Sequence, residues 1–368
     1  MVQIKKDKFL NIIGLMSGTS LDGIDISLIK SNGVELQTLN HNYYFKYKKS
    51  VSIIFEKILI NYKTILKDKN LKNKMDNFVT KLHVKAILKS GFLSKADIIG
   101  FHGQTMFHDP GVKSIQLGNP NLLAKLLKKT VIFDFRKIDI NNKGQGAPLA
   151  PIYHKTIIQK NNLELPSCFL NIGGISNISY WDGKSLIGFD TGPGNNLMDA
   201  YMMLHTKQKF DPDGYFASKG KINDFLFKNF MKNKYFKKNY PKSLDKNYFN
   251  KEFNFIKKID LNLNDVLSTL AEITIISIIN SFNLLPKYPK SILVSGGGYK
   301  NKNLINNLKK RAGISFFDLK DFKLDPDFIE SELIAFLTAR RFYNLPITFP
   351  ETTGVSKPSI GGFIYNNL

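Results

Sequence analysis

The chain has one cysteine, Cys168, and one tryptophan in 368 residues. A single thiol excludes an intramolecular disulfide and a cysteine-built metal site. Arginine is nearly as scarce: four (Arg136, Arg311, Arg340, Arg341) among 53 basic residues, the rest being lysine. The net charge of +23 first suggests nucleic acid or a membrane surface. Phosphate and base recognition favours the bidentate arginine fork, however. The lysines are also scattered among Asn and Ile, as in KNFMKNKYFKKNYPKSLDKNYFN (228–250). Scatter of this kind reads as compositional bias that aids solubility, so no nucleic-acid partner is expected. No apolar run approaches the roughly 18–20 residues of a membrane span. MVQIKKDKFLNIIGLM imitates a signal peptide at the start, but Asn11 interrupts its apolar patch and no small-residue cleavage site follows. The expectation is a soluble cytoplasmic protein with no membrane partner.

At this length and 43% apolar content, two domains are expected. HNYYFKYKK (41–49) reads as a strand, and 51–66 and 70–91 as helices with apolar residues three and four apart. ADIIGFHGQT (96–105) reads as a short buried strand ending in a polar loop, NPNLLAKLLKK (119–129) as a helix and KTVIFDFR (129–136) as a strand. This strand–helix–strand order points to an α/β domain. A second series of similar form follows in CFLNIGGISNISYW (168–181), SLIGFDTGPGNNLMDAYMML (185–204) and SILVSGGGYKNKNLINNLKKR (291–311). The basic, aromatic stretch 228–262 reads as a surface excursion, and SIGGFIYN (359–366) as a strand returning to the first domain. No 20–50-residue period repeats, which excludes a solenoid.

Glycine is concentrated in three polar turns, each after a predicted buried strand: MSGTSLDGID (16–25), GFDTGPGN (188–195) and SGGGYKN (295–301). None is a P-loop, since GxxxxGK[ST] is absent, and GPGNNL lacks the third glycine of a dinucleotide fingerprint. Each still supplies glycines that let backbone N–H groups approach phosphate, with hydroxyls alongside. One such turn alone is structural; three together read as two phosphate-gripping hairpins and a nucleoside turn clamping a nucleotide between domains. The contacts would come from Gly18, Thr19, Ser20, Leu21, Asp22, Gly23, Ile24 and Asp25. The other two turns would add Thr191, Gly192, Gly194 and Asn195, then Gly296, Gly297 and Gly298. No side-chain metal site is expected, and Asp22 and Asp25 would either hold Mg2+ through water or take a proton from a nucleophile. Asp190 ends the apolar strand LIGFD, where a general base has rigid support. Its plainer role, capping the next helix, falls more naturally to Asn195, so Asp190 is assigned to catalysis.

GFHGQTMFHDP (100–110) holds His102, Gln104, Thr105, His108 and Asp109. With no carboxylate at helical spacing, and in what reads as a loop, this is not a zinc site. Amides, hydroxyls and imidazole hydrogen-bond hydroxyls, so His102, Gln104 and Thr105, with Gln116 and Asn119 of IQLGNP (115–120), read as sugar-facing. Arg136, in FDFRKIDI (133–140), asks for a carboxylate, either a substrate's or that of Asp134 or Asp139. In DPDFIESELIAF (325–336), Glu330 or Glu332 faces a cleft or, as helix carboxylates commonly do, solvent; Glu330 is kept as a substrate contact.

These residues resemble the anhydro-N-acetylmuramic acid kinase family across nearly the whole chain. GLMSGTSLDGID, FHGQT, QLGNP, DFR, GQGAPLAP (144–151), NIGGISNI, GFDTGPGNNLMDA and SGGGYKN occur in the family's order, the first and seventh being highly specific to it. The resemblance implies an α/β, two-domain, actin-like fold, shared with sugar kinases and heat-shock-chaperone ATPases, with an interdomain nucleotide cleft. Residues 1–135 plus 345–368 would form one domain and 136–344 the other. It further implies a homodimeric kinase using ATP and Mg2+. That enzyme opens the 1,6-anhydro ring of 1,6-anhydro-N-acetylmuramic acid and phosphorylates O6, with Asp190 activating the water that attacks the anomeric carbon. One segment departs: where the family commonly reads KSTGRE-like after a proline, PKSLDKNYF (241–249) keeps Lys242, Ser243 and Phe249 and loses the centre. That leaves open a phosphotransferase of the same fold acting on another sugar. A non-catalytic nucleotide-binding regulator would require Asp190 to be structural only.

Overall fold

The computed structural model of the chain describes residues 8–18, 21–245 and 247–366. Its strands are β1 (Leu10–Ser17), β2 (Gly23–Ser31), β3 (Leu36–Lys46), β4 (Ile98–Asp109), β5 (Lys113–Leu117) and β6 (Thr130–Phe133). They continue as β7 (Ser167–Ile172), β8 (Ile175–Trp181), β9 (Leu186–Pro193), β10 (Ser291–Ser295), β11 (Ser315–Asp318) and β12 (Phe363–Tyr365). The chain divides into two compact units, one running to Lys160 and resuming at Asp327, the other Asn161–Pro326.

The first unit's sheet has the order β12-β6-β4-β1-β2-β3, with β5 paired to β4; the second has β11-β10-β7-β8-β9. β1, β2 and β3 form an antiparallel meander, and β1 pairs in parallel with β4, which pairs in parallel with β6. β7, β8 and β9 repeat the meander, and β7, β10 and β11 repeat the parallel run. Helices Lys69–Ser90 and Pro120–Leu127 make the crossovers in the first unit, and Leu263–Phe282 and Lys302–Ala312 in the second. Asn119 and Asn301 cap their helices through the N–H groups of Leu122 and Leu304, and Gly91 and Gly313 end theirs in the left-handed conformation. The central strands β1 and β10 are buried along most or all of their length, which is why they read as nearly continuous apolar runs. One five-strand plan thus occurs twice, the duplicated α/β arrangement of the actin-like fold. β12 pairs antiparallel with β6, the return expected for 359–366.

The units divide at 160/161 and 326/327 rather than at the expected 135/136 and 344/345. Helix Ile329–Phe342 is the reason for the second shift, because it packs on β1, β2 and β4 and so belongs to the first sheet. Gly14 and Gly100 are register partners on β1 and β4. A Cβ on Gly14 would collide with the Ser331 carbonyl and stand 2.6 Å from Ala335 N; one on Gly100 would collide with the Thr338 hydroxyl. Ser331, Ala335 and Thr338, one face of the helix, therefore lie directly on a two-glycine patch.

Two further expectations are corrected. Residues 100–110 are not a loop: β4 continues to Asp109 and pairs with β5 past a register shift between Thr105 and Phe107. Helix Leu263–Phe282 is long and apolar enough to cross a membrane by length and composition, although no such run was expected. In this fold 67% of its apolar window is buried, in the core of the second unit.

Candidate active site

Asp190 stands on β9 opposite Asn177 of β8, half-buried. Three contacts hold it, all from one later segment. The Leu244 N–H donates to Asp190 Oδ2 at 2.7 Å, the Asp190 N–H donates to the Lys242 carbonyl at 3.2 Å, and the Tyr235 hydroxyl donates to the Asp190 carbonyl at 2.6 Å. Burial pushes the carboxyl up to about 7, against the Leu244 N–H and the positive Lys242, which both pull it down. A carboxyl titrating near neutrality is matched to general-base work. The following helix starts at Asn196 with Asn195 as its N-cap residue, so Asp190 is not the cap.

The stretch 228–262 is therefore more than a surface excursion. Phe230, Tyr235, Leu244, Phe249 and Ile256 are buried in the second unit's core. Lys242 is only 6% exposed, with Nζ 5.4 Å from the Phe189 ring centroid and 4.9 Å from that of Tyr235. Abundant Lys and Asn masked an aromatic spine, and that spine was the available signal. Tyr235, Lys242 and the Leu244 N–H are site elements that sequence reasoning missed.

The glycine turns of the second unit pack against one another. Gly194 N–H donates to the Gly174 carbonyl at 3.0 Å and Asn195 N–H to the Gly173 carbonyl at 2.8 Å. Gly296, at φ +85°, leaves no room for a Cβ, which would lie 2.6 Å from the Ile172 carbonyl. The Gly173–Gly174 turn joins the group and was not among the expected contacts. The Thr191 hydroxyl is buried and donates to the Ser176 carbonyl at 3.2 Å, which leaves it a structural part. Asn195 and Gly297 line one cavity of about 290 Å³ with Met198, Asp199, Phe210 and Lys300. A space of this size with mixed apolar and polar walls suits a nucleoside. Asp199, also missed, has its carboxyl pushed up to about 6 by burial.

In the first unit, Thr19 and Ser20 lie outside the described residues. The Gly18 carbonyl accepts from Gln104 Nε2 at 2.8 Å, which ties the first turn to β4. Leu21 is held at φ +58°, a conformation rare outside glycine and characteristic of ligand clamps. Ile24 is wholly buried, so only its main chain can meet a ligand. Gly23 lies under Tyr44, whose phenol is pushed up to about 12 by burial, then by the charge and hydrogen bond of Asp22, then by Asp25. Two hard carboxylates on one turn suit magnesium held through water. Among the described residues no group of three or more His, Cys, Asp or Glu side chains could hold a metal directly.

A second cluster in the same unit gathers around Arg136. Its guanidinium donates to the Gly146 carbonyl at 2.7 Å and to His102 Nε2 at 3.3 Å. Arginine only donates, so His102 Nε2 accepts and Nδ1–H donates to the Gly103 carbonyl at 3.1 Å. Burial first, then the Arg136 charge, pushes this imidazole down to about 3, and it stays neutral. Asp139 is engaged elsewhere, by Gly146 N–H and the Thr353 hydroxyl, each at 2.6 Å. Arg136 thus makes no ion pair with Asp134 or Asp139, although the charges of Glu330 and Asp139 oppose the effect of its burial. Glu330 is exposed at the start of helix Ile329–Phe342, whereas Glu332 is buried and accepts from the Tyr153 hydroxyl at 2.5 Å. Among the described residues, Gln104 Oε1 and both ring nitrogens of His108 are buried with no hydrogen-bond partner. Gln116, the register partner of Thr105, bonds Ser114 Oγ at 2.7 Å. It lines a cavity of about 350 Å³ with Lys72, Lys113 and Asp134, a lining that includes neither Arg136 nor His102.

A carboxylate held within β9, packed glycine turns and a nucleoside-sized cavity in the same unit, on a duplicated actin-like plan, are the equipment of a phosphotransferase of the sugar-kinase class. The family model described as "Anhydro-N-acetylmuramic acid kinase" matches residues 10–367. An anhydro-N-acetylmuramic acid kinase of Pelagibacter ubique is 39% identical over 98% of this chain and 100% of its own. One of Rhodopseudomonas palustris is 36% identical over 96% of this chain and 99% of its own. The chain belongs to the anhydro-N-acetylmuramic acid kinase family. Among solved structures, component A of (R)-2-hydroxyglutaryl-CoA dehydratase from Acidaminococcus fermentans aligns over 90% of this chain and 99% of its own, at TM-score 0.44 and 9% identity.

Proposed function

We propose that the chain uses ATP to open the 1,6-anhydro ring of 1,6-anhydro-N-acetylmuramic acid and phosphorylate O6, giving N-acetylmuramate 6-phosphate and ADP. The observation that carries this reading is Asp190, a carboxyl within β9 that burial pushes up to about 7 and the Leu244 N–H aims. As carboxylate it takes a proton from water while the water oxygen bonds the anomeric carbon. The bond from that carbon to O6 breaks, and O6 takes the γ-phosphoryl group as ADP leaves. Bound with ATP, magnesium neutralises phosphate charge, and Asp22 and Asp25 would hold it through water. The glycine turns offer main chain to the phosphates, and the cavity beside Asn195 and Gly297 takes the nucleoside. A cytoplasmic homodimer acting in cell-wall amino-sugar recycling, with no nucleic-acid or membrane partner, completes the proposal.

The deciding measurement is ADP release from purified protein with Mg-ATP and the anhydro sugar, with mass spectrometry of the product. Gain of both water and phosphate is the expected result. Turnover of ordinary hexoses but not of this sugar would move the substrate, and ATP binding without turnover of any sugar would favour a regulator.

Arg136 is the proposed partner of the substrate's lactyl carboxylate, since among the described residues only two of its five N–H donors are engaged. Arg136→Met should raise KM for the sugar about 10–100-fold, the scale of a lost charge-assisted bond, and leave KM for ATP alone. The parent should handle 1,6-anhydro-N-acetylglucosamine, which lacks the lactyl group, worse than the full substrate by a similar factor. The variant should barely distinguish the two sugars. Equal losses on both sugars would remove Arg136 from this role.

A further inference from the structure

We infer that Lys242 is a positioning residue: its ammonium, clamped between the ring faces of Phe189 and Tyr235, is the fixed counter-charge that keeps Asp190 ionised and ready to accept a proton. This rests on the reading of Asp190 as the base.

The cage and the base share one frame. Phe189 is the chain neighbour of Asp190, Tyr235 donates to the Asp190 carbonyl, and the Lys242 carbonyl accepts from the Asp190 N–H. Leu244, two residues beyond Lys242, donates to the carboxylate itself. Moving Asp190 therefore moves the walls that hold the lysine. Among the described residues no hydrogen bond or ion pair is made by Lys242 Nζ; two aromatic faces hold it, at 5.4 and 4.9 Å. Cation–π contacts of this kind gain strength where water is excluded.

The separation matters chemically. Burial alone disfavours the carboxylate, and burial also disfavours the ammonium, which is pushed down to about 8 despite the attraction of Asp190. Each charge offsets the other's cost of leaving water. A touching ion pair would depress the carboxyl too far for it to accept a proton. A cation held on rings nearby moderates the effect of burial and leaves a usable base. The two groups titrate as a pair. The other groups that face them are Tyr235, whose phenol burial pushes well up, Tyr248 packed on the Tyr235 ring, Lys238, whose charge acts on Lys242, and the amide Asn177 across the sheet.

The test uses the whole protein: kcat/KM against pH, together with an infrared titration of the Asp190 carboxyl assigned by difference from Asp190→Asn. Lys242→Met should move the acid limb and the infrared midpoint up by about one pH unit or more, the usual effect of losing a neighbouring opposite charge. A one-unit shift from about 7 means roughly fivefold less activity at pH 7, regained in alkali. Lys242→Arg keeps the charge and should restore both midpoints. Lys238→Met removes an equal charge from outside the cage and should move neither. Should Lys242→Met not fold, Lys242→Gln removes the charge behind a polar head and must shift the limb the same way. A Lys242→Met rate loss that is equal at every pH, with the infrared midpoint unmoved, overturns the inference. The two readings fail separately. A fully active Asp190→Asn sinks the base, whereas an inactive Asp190→Asn beside a parent-like Lys242→Met titration sinks only the counter-charge.

Discussion

Asp190→Asn is expected to lower kcat by about 10²–10⁴-fold, the contribution of a positioned general base, with ATP affinity nearly unchanged. Asparagine keeps the shape and an oxygen for the Leu244 N–H, so the loss isolates the proton acceptor. The pH dependence has a definite sign. Asp190 accepts a proton only as carboxylate, so the parent's kcat/KM should rise with pH through about 7 and level off above it. The residual rate of the variant should show no such limb. Stability runs the other way. The folded carboxyl holds its proton to a higher pH than the unfolded one, so its contribution to stability falls as pH rises from the unfolded value toward about 7. At pH 8 the variant should therefore melt no lower than the parent, which separates lost chemistry from lost fold. Near-full activity in Asp190→Asn would withdraw the assignment.

The second large effect is structural. Gly14→Ala and Gly100→Ala each add a Cβ where helix Ile329–Phe342 lies on the sheet, and at Gly14 the obstacle is main chain rather than a movable side-chain tip. Overpacking typically costs about 1–3 kcal/mol, and Gly14→Ala belongs at the upper end. In a unit of this size each kcal/mol lowers Tm by roughly 2–4 °C. The pair should cost less than the sum of the singles, because one outward step of the helix relieves both collisions. Thermal and denaturant melts of the two singles and the double decide it. A Gly14→Ala protein that melts like the parent would show that the helix shifts freely and that close packing is not what assigns it to the first sheet.

Some of this was legible in the sequence for simple reasons. β1 and β2 are apolar segments around a turn of glycines and carboxylates, and β12 is an apolar run behind glycines; in both, local composition and tertiary role agree. β4 beyond Thr105 was not legible, because its polar residues pair with β5 across a register shift that no local pattern announces. The placement of helix Ile329–Phe342 was missed for a similar reason: Gly14 and Gly100, 86 residues apart, make one patch only after the strands pair. At the candidate site, Asp190 was singled out from its own strand, whereas Tyr235, Lys242 and Leu244 reach it from 45 to 54 residues away. Arg136 was readable as a polar anchor but not as the partner of His102, since that contact joins β4 to the turn after β6.

The bond that aims Asp190 comes from the N–H of Leu244, a group every residue except proline carries. A main-chain donor is blind to the side chain it belongs to. Leucine can stand where the family commonly has threonine, and Asp245 where it has glycine, without loosening the base. For this bond, what descent must preserve at 244 is the course of the chain, and proline alone is barred there.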